Sequence, residues 1–196
     1  MDDTLKDNKK KQILDAALQI FVKRGYSDTR MDDIVGISGM SKGAIYHHYK
    51  SKHELFLDLI DFWEEFYFPN IFHKKYKNKT ASGKLREITK DIILTFKLKK
   101  YVFLAELEIW SLANHDEVVR DKTKVLYSNL INLFSSIIKE GIDSGEFKKI
   151  NIHIAALSIM TSLQGVIWFS IFEKSKLSAE EYLTEVMEFI IHGFKK

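Results

Sequence analysis

The chain of 196 residues has no cysteine. A disulfide scaffold, a thiolate zinc site and cysteine nucleophilic catalysis are excluded by that count. Proline occurs once and glycine nine times. So few breakers leave little for hairpin turns, and the expectation is an all-α chain. A marked excess of one charge is also missing: 30 Lys+Arg stand against 27 Asp+Glu, for a net +3. This excludes a polybasic, histone-like protein, and any contact with nucleic acid must come from local placement of charge. Hydrophobic residues at 45% and charged residues at 29% are an ordinary globular balance that argues against disorder. The N-terminus has no apolar stretch after a basic start, so a secretory signal is not expected. The one long uncharged run, Ile154 to Phe172, is about as long as a membrane span. Ser158, Thr161, Ser162, Gln164, Gly165 and Ser170 interrupt it, which favours a buried core or interface helix and no membrane partner.

What is present is helical periodicity. Ile13, Ala16, Ala17, Ile20 and Phe21 form one apolar face, ended by Gly25. Thr29 is expected to cap a short second helix carrying Met31, Ile34 and Val35. Ser38-Gly39-Met40-Ser41 reads as a turn, with Gly39 suited to the left-handed conformation. Ser41 caps a third helix through Tyr49, and Ser51-Lys52-His53-Glu54 opens a fourth as a capping box. Pro69 is expected to kink or end that helix. Further helices are expected near 84–98, 101–113, 116–142, 151–172 and 178–194, for about nine in all. The natural division is a small N-terminal unit, residues 7–55, and a larger helical body, 56–196.

Enzyme signals are weak. His53-Glu54 begins like a zinc-protease motif, but Leu57 occupies the position of the second histidine. His47 and His48 point in different directions on a helix. No glycine-rich phosphate loop follows a strand. No catalytic residue, metal site or cofactor is expected.

Two short helices joined by a glycine turn make a helix-turn-helix pattern, here at about 30–49. The residues Ile13, Ala16, Ala17, Phe21, Gly25-Tyr26, Thr29, Ile34, Gly39, Ser41-Lys42-Gly43, Ile45-Tyr46, His48-Tyr49 and Ser51-Lys52-His53-Glu54-Leu55 make this segment resemble the TetR family of bacterial transcription regulators. Val35 and Ser38 stand where the family commonly has Ala, and Tyr49 where it commonly has Phe. The match covers about the first quarter of the chain. The third helix is then the recognition helix, which presents its N-terminal residues Ser41, Lys42, Gly43 and Ala44 to the major groove. Gly43 and Ala44 let the backbone approach the duplex, and Lys42 reads guanine or pairs with phosphate. Tyr46 and His47 follow within reach of the strand, and Thr29 and Arg30 open the second helix where N–H groups favour phosphate. Lys52 is the expected phosphate clamp. The resemblance implies these broad roles for Thr29, Lys42, Tyr46, His47 and Lys52. Ile45 and Tyr49 are expected to pack the small unit, and Lys9-Lys10-Lys11 to be a solvated face or a flexible arm that follows DNA.

For the body, the resemblance implies dimerisation through the last two long helices and a site for a small effector. The dimer candidates are Ala155, Ser158, Ser162, Gly165, Val166, Val186, Phe189 and Ile190. The effector candidates are Trp63, Phe66, Phe103, Glu106, Glu108, Trp110, Phe134 and Trp168. Glu106 has Val102, Phe103, Ile109 and Trp110 as helical neighbours. A carboxylate facing inward needs a partner, and a bound cation is one. A neutral acyl or aromatic effector fits the apolar lining equally well. The leading reading is a cytoplasmic, ligand-responsive, homodimeric repressor on a near-palindromic double-stranded operator, released by a small lipophilic effector. The alternative is a DNA-binding structural or division-linked protein of the same fold controlled by a protein partner.

Overall fold

The computed structural model describes residues 2–68, 71, 79–172 and 177–195, without the side chains of residues 2–7 and of Phe66. Helices run α1 Asp2–Arg24, α2 Met31–Ser38, α3 Lys42–His48, α4 Lys52–Asp61, α5 Trp63–Tyr67, α6 Ala81–Leu98, α7 Lys100–Ala113, α8 Glu117–Asp143, α9 Ile152–Gln164, α10 Val166–Ile171 and α11 Ala179–Phe194. Among the described residues there is no strand beyond an isolated bridge between Phe147 and Lys195. Two helices expected to be continuous are broken. The fourth bends at Phe62, upstream of Pro69, which lies outside the described residues. The long uncharged helix breaks at Gly165, where the Tyr182 hydroxyl sits within 2.3 Å of the place a Cβ would occupy.

The caps explain most helix starts. Ser41 Oγ accepts from Ala44 N, Ser51 Oγ from Glu54 N, and Asp116 from Val118 and Val119 N. Ser178 and Glu181 form a complete capping box. The box at Ser51 is only half made, because Glu54 accepts from Lys50 N instead. At α2 the expected cap is displaced by one residue. Arg30 takes the N-cap position and Asp33 accepts its N–H at 2.8 Å, while Thr29 is buried and donates its hydroxyl to Gly25 O.

The N-terminal core is the apolar face of α1 (Ile13, Leu14, Ala17, Leu18, Phe21) closed by Ile34, Ile45, Leu55, Phe56 and Leu59. Phe21, Tyr26 and Phe56 meet edge to face or tilted, with centroids 4.8–5.5 Å apart. In the body, α8 packs against α7, α9, α6 and α4, and α11 covers α6 and α9. The turn after α8 is tightly specified. Gly141 leaves room for the Phe147 ring, which stands 2.2 Å from a Cβ built there, and Gly145 takes φ 77°. Glu146 then caps α6 by accepting from Ala81 N and Ser82 N.

The stretch Ile152–Ile171 is long and apolar enough to cross a membrane by length and composition. Its residues Ala155, Ala156, Ile159, Leu163, Val166 and Ile167 are nevertheless buried against the body, as in a core helix.

Candidate functional site

The turn between α2 and α3 follows from its residues. Gly39 adopts φ 68° as the α2 C-cap, and Gln12 of α1 donates to Ser38 O at 2.6 Å. The N-terminus of α3 is thereby held outward. Ser41, Lys42, Gly43 and His47 are exposed, Ala44 and Tyr46 half-buried, and Ile45 and Tyr49 lie in the core as expected. A Cβ at Gly43 meets nothing within 4 Å, so no internal contact requires glycine there. Lys42 pairs with Asp32 at 2.7 Å on the open surface, and this partner raises its pKa. An exposed pair of this kind is weakly held and exchanges readily for a phosphate. Arg30 is exposed beside them.

Two expected DNA contacts are corrected by the geometry. Thr29 is 1% exposed and its hydroxyl is committed to Gly25 O, so its side chain cannot reach a strand. The Lys52 ammonium turns inward, donating to Tyr26 O at 2.5 Å, Thr29 O at 2.7 Å and Ser27 O at 3.1 Å while lying over the Tyr26 ring. Desolvation lowers its pKa. Lys52 thus staples α4 to the loop that carries α2.

Behind this unit lies an apolar cavity of about 60 Å³ lined by Trp63, Phe68, Phe103, Glu106, Leu126, Tyr127, Phe134, Met160, Leu163 and Gln164, among others. Of the expected effector residues, Trp63, Phe103, Glu106 and Phe134 line this cavity. The Phe66 side chain lies outside the described residues. Glu106 accepts from Gln164 Nε2 at 3.0 Å and from the Tyr127 hydroxyl at 3.3 Å. Desolvation pushes its carboxyl up to about 7, against the two hydrogen bonds, which lower it. Among the described residues no cation pairs with it.

Three expected cavity residues face elsewhere. Glu108, two positions along α7, turns to the opposite side and accepts the Tyr26 N–H at 2.8 Å. Trp110 is 39% exposed and donates its indole N–H to the Tyr127 hydroxyl. Trp168 is 60% exposed and stacks on Phe172. Tyr127 and Gln164, which sequence reasoning missed, complete the polar side of the cavity. A polar residue opposite an inward carboxylate is the only signal they gave, and it needs the helix pairing to be read. Among the described residues no group of three His, Asp or Glu could hold a metal.

The expected dimer set divides. Phe189 is 81% exposed, Ser158 is exposed, and Val186 and Ile190 are half-buried. Ala155 and Val166 are buried inside the chain, and Gly165 and Ser162 serve Tyr182, whose hydroxyl donates to Ser162 O. These four pack within the monomer and are corrected on that ground. The exposed large apolar residues on and just after α9, α10 and α11 include Ile154, Leu157, Trp168, Ile171, Phe172 and Phe189.

Contacts that join the small unit to the body include an ion pair between Lys10 and Asp58 at 2.8 Å. Others add to it: Glu108 holds Tyr26, His53 Nε2 meets Asp116 at 2.8 Å, and Tyr101 donates to Asp15 at 2.7 Å. Nearby, the Lys122 pair with Asp61 ties α8 to the end of α4.

Comparison with known proteins agrees with this layout. The profile of bacterial regulatory proteins of the tetR family matches residues 13–59, and that of the QacR-like protein C-terminal region matches residues 63–195. The HTH-type transcriptional regulator QacR of Staphylococcus aureus is 26% identical over 163 residues, 83% of this chain and 86% of that protein. The fatty acid metabolism regulator protein of Bacillus subtilis is 26% identical over 186 residues, 93% of each chain. A regulator from Saccharomonospora viridis in complex with choline superimposes with a TM-score of 0.83 at 19% identity, covering 97% of this chain and 99% of the other. FadR of Bacillus subtilis in complex with stearoyl-CoA gives 0.79 at 21% identity, covering 93% and 98%. Such relatives are DNA-binding regulators and not enzymes. The chain belongs to the TetR family of ligand-responsive transcriptional regulators, with an N-terminal helix-turn-helix and a QacR-like body.

Proposed function

We propose that the protein is a cytoplasmic, homodimeric repressor that binds a near-palindromic operator and is released by a small lipophilic cation. The observation that carries this reading is Glu106, a carboxylate in an apolar cavity with two neutral donors and, among the described residues, no cation. An effector's positive charge supplies the missing partner, and the aromatic walls stack on its body. The choline complex of the Saccharomonospora viridis regulator supports a cation; the stearoyl-CoA complex of FadR supports an acyl effector as the second reading. An acyl chain would use the same lining with Glu106 protonated, which a pKa near 7 permits.

The division into residues 7–55 and 56–196 serves the two tasks. Arg30, Ser41, Lys42, Gly43, Ala44, Tyr46 and His47 form the DNA face. Leu157, Ser158, Trp168, Val186, Phe189 and Ile190 form the dimer face, so that two α3 helices meet successive major grooves. Coupling runs through α7 and α4. The α7 helix carries Glu106 toward the effector and Glu108 toward Tyr26, while Lys52 of α4 holds the same residue by its carbonyl. A ligand that shifts α7 therefore shifts the loop that feeds α2, and operator affinity falls by the coupling free energy. A division-linked protein controlled by a protein partner is not favoured, since the relatives are transcription regulators.

The experiment is a gel-shift titration of the purified protein on duplex from the DNA flanking its own gene. Saturable binding of two chains to one near-palindrome supports the reading, and binding without sequence preference at physiological salt sinks it.

A further inference from the structure

The cavity around Glu106 is small. At about 60 Å³ it holds a few water molecules, whereas sites for small molecules run to roughly 300–1,000 Å³. An effector of that size needs a wall to move, and one side chain stands at a place where space already exists beyond it. Tyr127 lines the inner cavity and also an outer groove of about 470 Å³ between the end of α7, α8 and the start of α9. That groove is bounded by Arg120, Thr123, Lys124, Ile131 and His153. The Tyr127 hydroxyl is fastened twice. It donates inward to Glu106 Oε2 at 3.3 Å and accepts the indole N–H of the surface residue Trp110. The phenol thus occupies, on the Glu106 side, the position that a ligand's polar end would need.

We propose that Tyr127 is the gate and a specificity-determining residue of the effector site, a ligand entering from the outer groove by swinging the ring aside and replacing the phenol at Glu106. The proposal rests on the effector reading above for the ligand, but not for the gate. Its chemical consequence is a selection rule. The entering end must bring a hydrogen-bond donor or a cation, because removal of the phenol leaves the buried carboxyl short of one partner. The Trp110–Tyr127 bond sets how often the gate opens, and the inner bond sets what is admitted.

The absence of cysteine gives a direct test. A single thiol is introduced in the cavity wall by Leu163→Cys, and its alkylation by iodoacetamide is timed in the full-length protein. Adding Trp110→Phe is expected to raise that rate about five- to tenfold, as fits one lost hydrogen bond, and Tyr127→Phe, which loses two, at least as much. The two together are expected to give no more than Tyr127→Phe alone, since both act on one latch. A matched thiol at Ile138→Cys, buried on α8 but not lining the cavity, separates gating from general loosening. If both thiols accelerate alike, or if Leu163→Cys is unaffected, the gate is elsewhere and the proposal is overturned. In parallel, tetraphenylphosphonium is titrated by tryptophan fluorescence and its association rate measured. Faster association in Tyr127→Phe supports the entry route, and an unchanged rate overturns it. Failure of this probe to bind any variant, with the thiol result intact, counts against the cationic effector and leaves the gate standing.

Discussion

Gly43→Ala separates the two demands on α3. In the free protein a methyl group at this position meets no atom within 4 Å, so it has no steric cost. Gly43 is the second residue of α3 with no positive φ, and replacing glycine by alanine in a helix gains up to about 1 kcal/mol. For a chain of this size that raises Tm by about 2–4 °C. On DNA the balance reverses. The exposed start of α3 is where backbone and duplex must approach, and a methyl group there holds them about 1 Å further apart. Loss of one charge-assisted contact to phosphate costs about 1.5–3 kcal/mol, which is roughly a ten- to hundredfold weaker operator. Differential scanning calorimetry and fluorescence anisotropy on a labelled operator read the two quantities in one preparation. A variant that is more stable and binds the operator as tightly as the wild type would refute the placement of Gly43 against DNA.

Other perturbations follow from the same geometry. Lys52→Met strips three backbone carbonyls of their donor and is expected to lower stability by about 2 kcal/mol, with the salt dependence of operator binding unchanged. A shallower salt slope at undiminished Tm would restore Lys52 as a phosphate clamp. Glu106 has its pKa raised above the unfolded value, so the folded state binds more protons between about pH 4.5 and 7 and stability falls as pH rises through that window. Glu106→Gln is expected to flatten this part of the profile and to raise Tm at pH 8, as read by thermal melts across pH. Phe189→Glu places a charge on the most exposed apolar residue of α11 and is expected to yield monomers in sedimentation velocity at micromolar concentration, with secondary structure unchanged by circular dichroism. A dimer that survives it would move the interface elsewhere.

The fold was open to reading because its signals are local. Caps at Ser41, Ser51 and Ser178, the turn at Gly39 and the break at Gly145 fix helix ends within a few residues of chain. The recognition helix was legible for the same reason, since Ile45 and Tyr49 turn inward by their spacing and leave Lys42, Gly43 and His47 outside. What was not legible depends on partners far away in the chain. Lys52 reads as a surface cation until the carbonyls of Tyr26, Ser27 and Thr29 are brought to it. Glu106 and Glu108 both have mostly apolar helical neighbours, and the packing of α7 between the cavity and α1 assigns one to each side. Small residues mark close helix approach without saying whose helix. Ala155 and Val166 meet their own chain, and the free apolar surface falls to larger residues such as Trp168 and Phe189.

The central claim is that charge at Glu106 is linked to operator affinity through α7. It is tested most directly by operator anisotropy at pH 8 with and without saturating tetraphenylphosphonium, in the wild type and in Glu106→Gln. The cation is expected to weaken operator binding about tenfold or more in the wild type and to have little effect on the variant. Equal release of both proteins, or none from either, would contradict it.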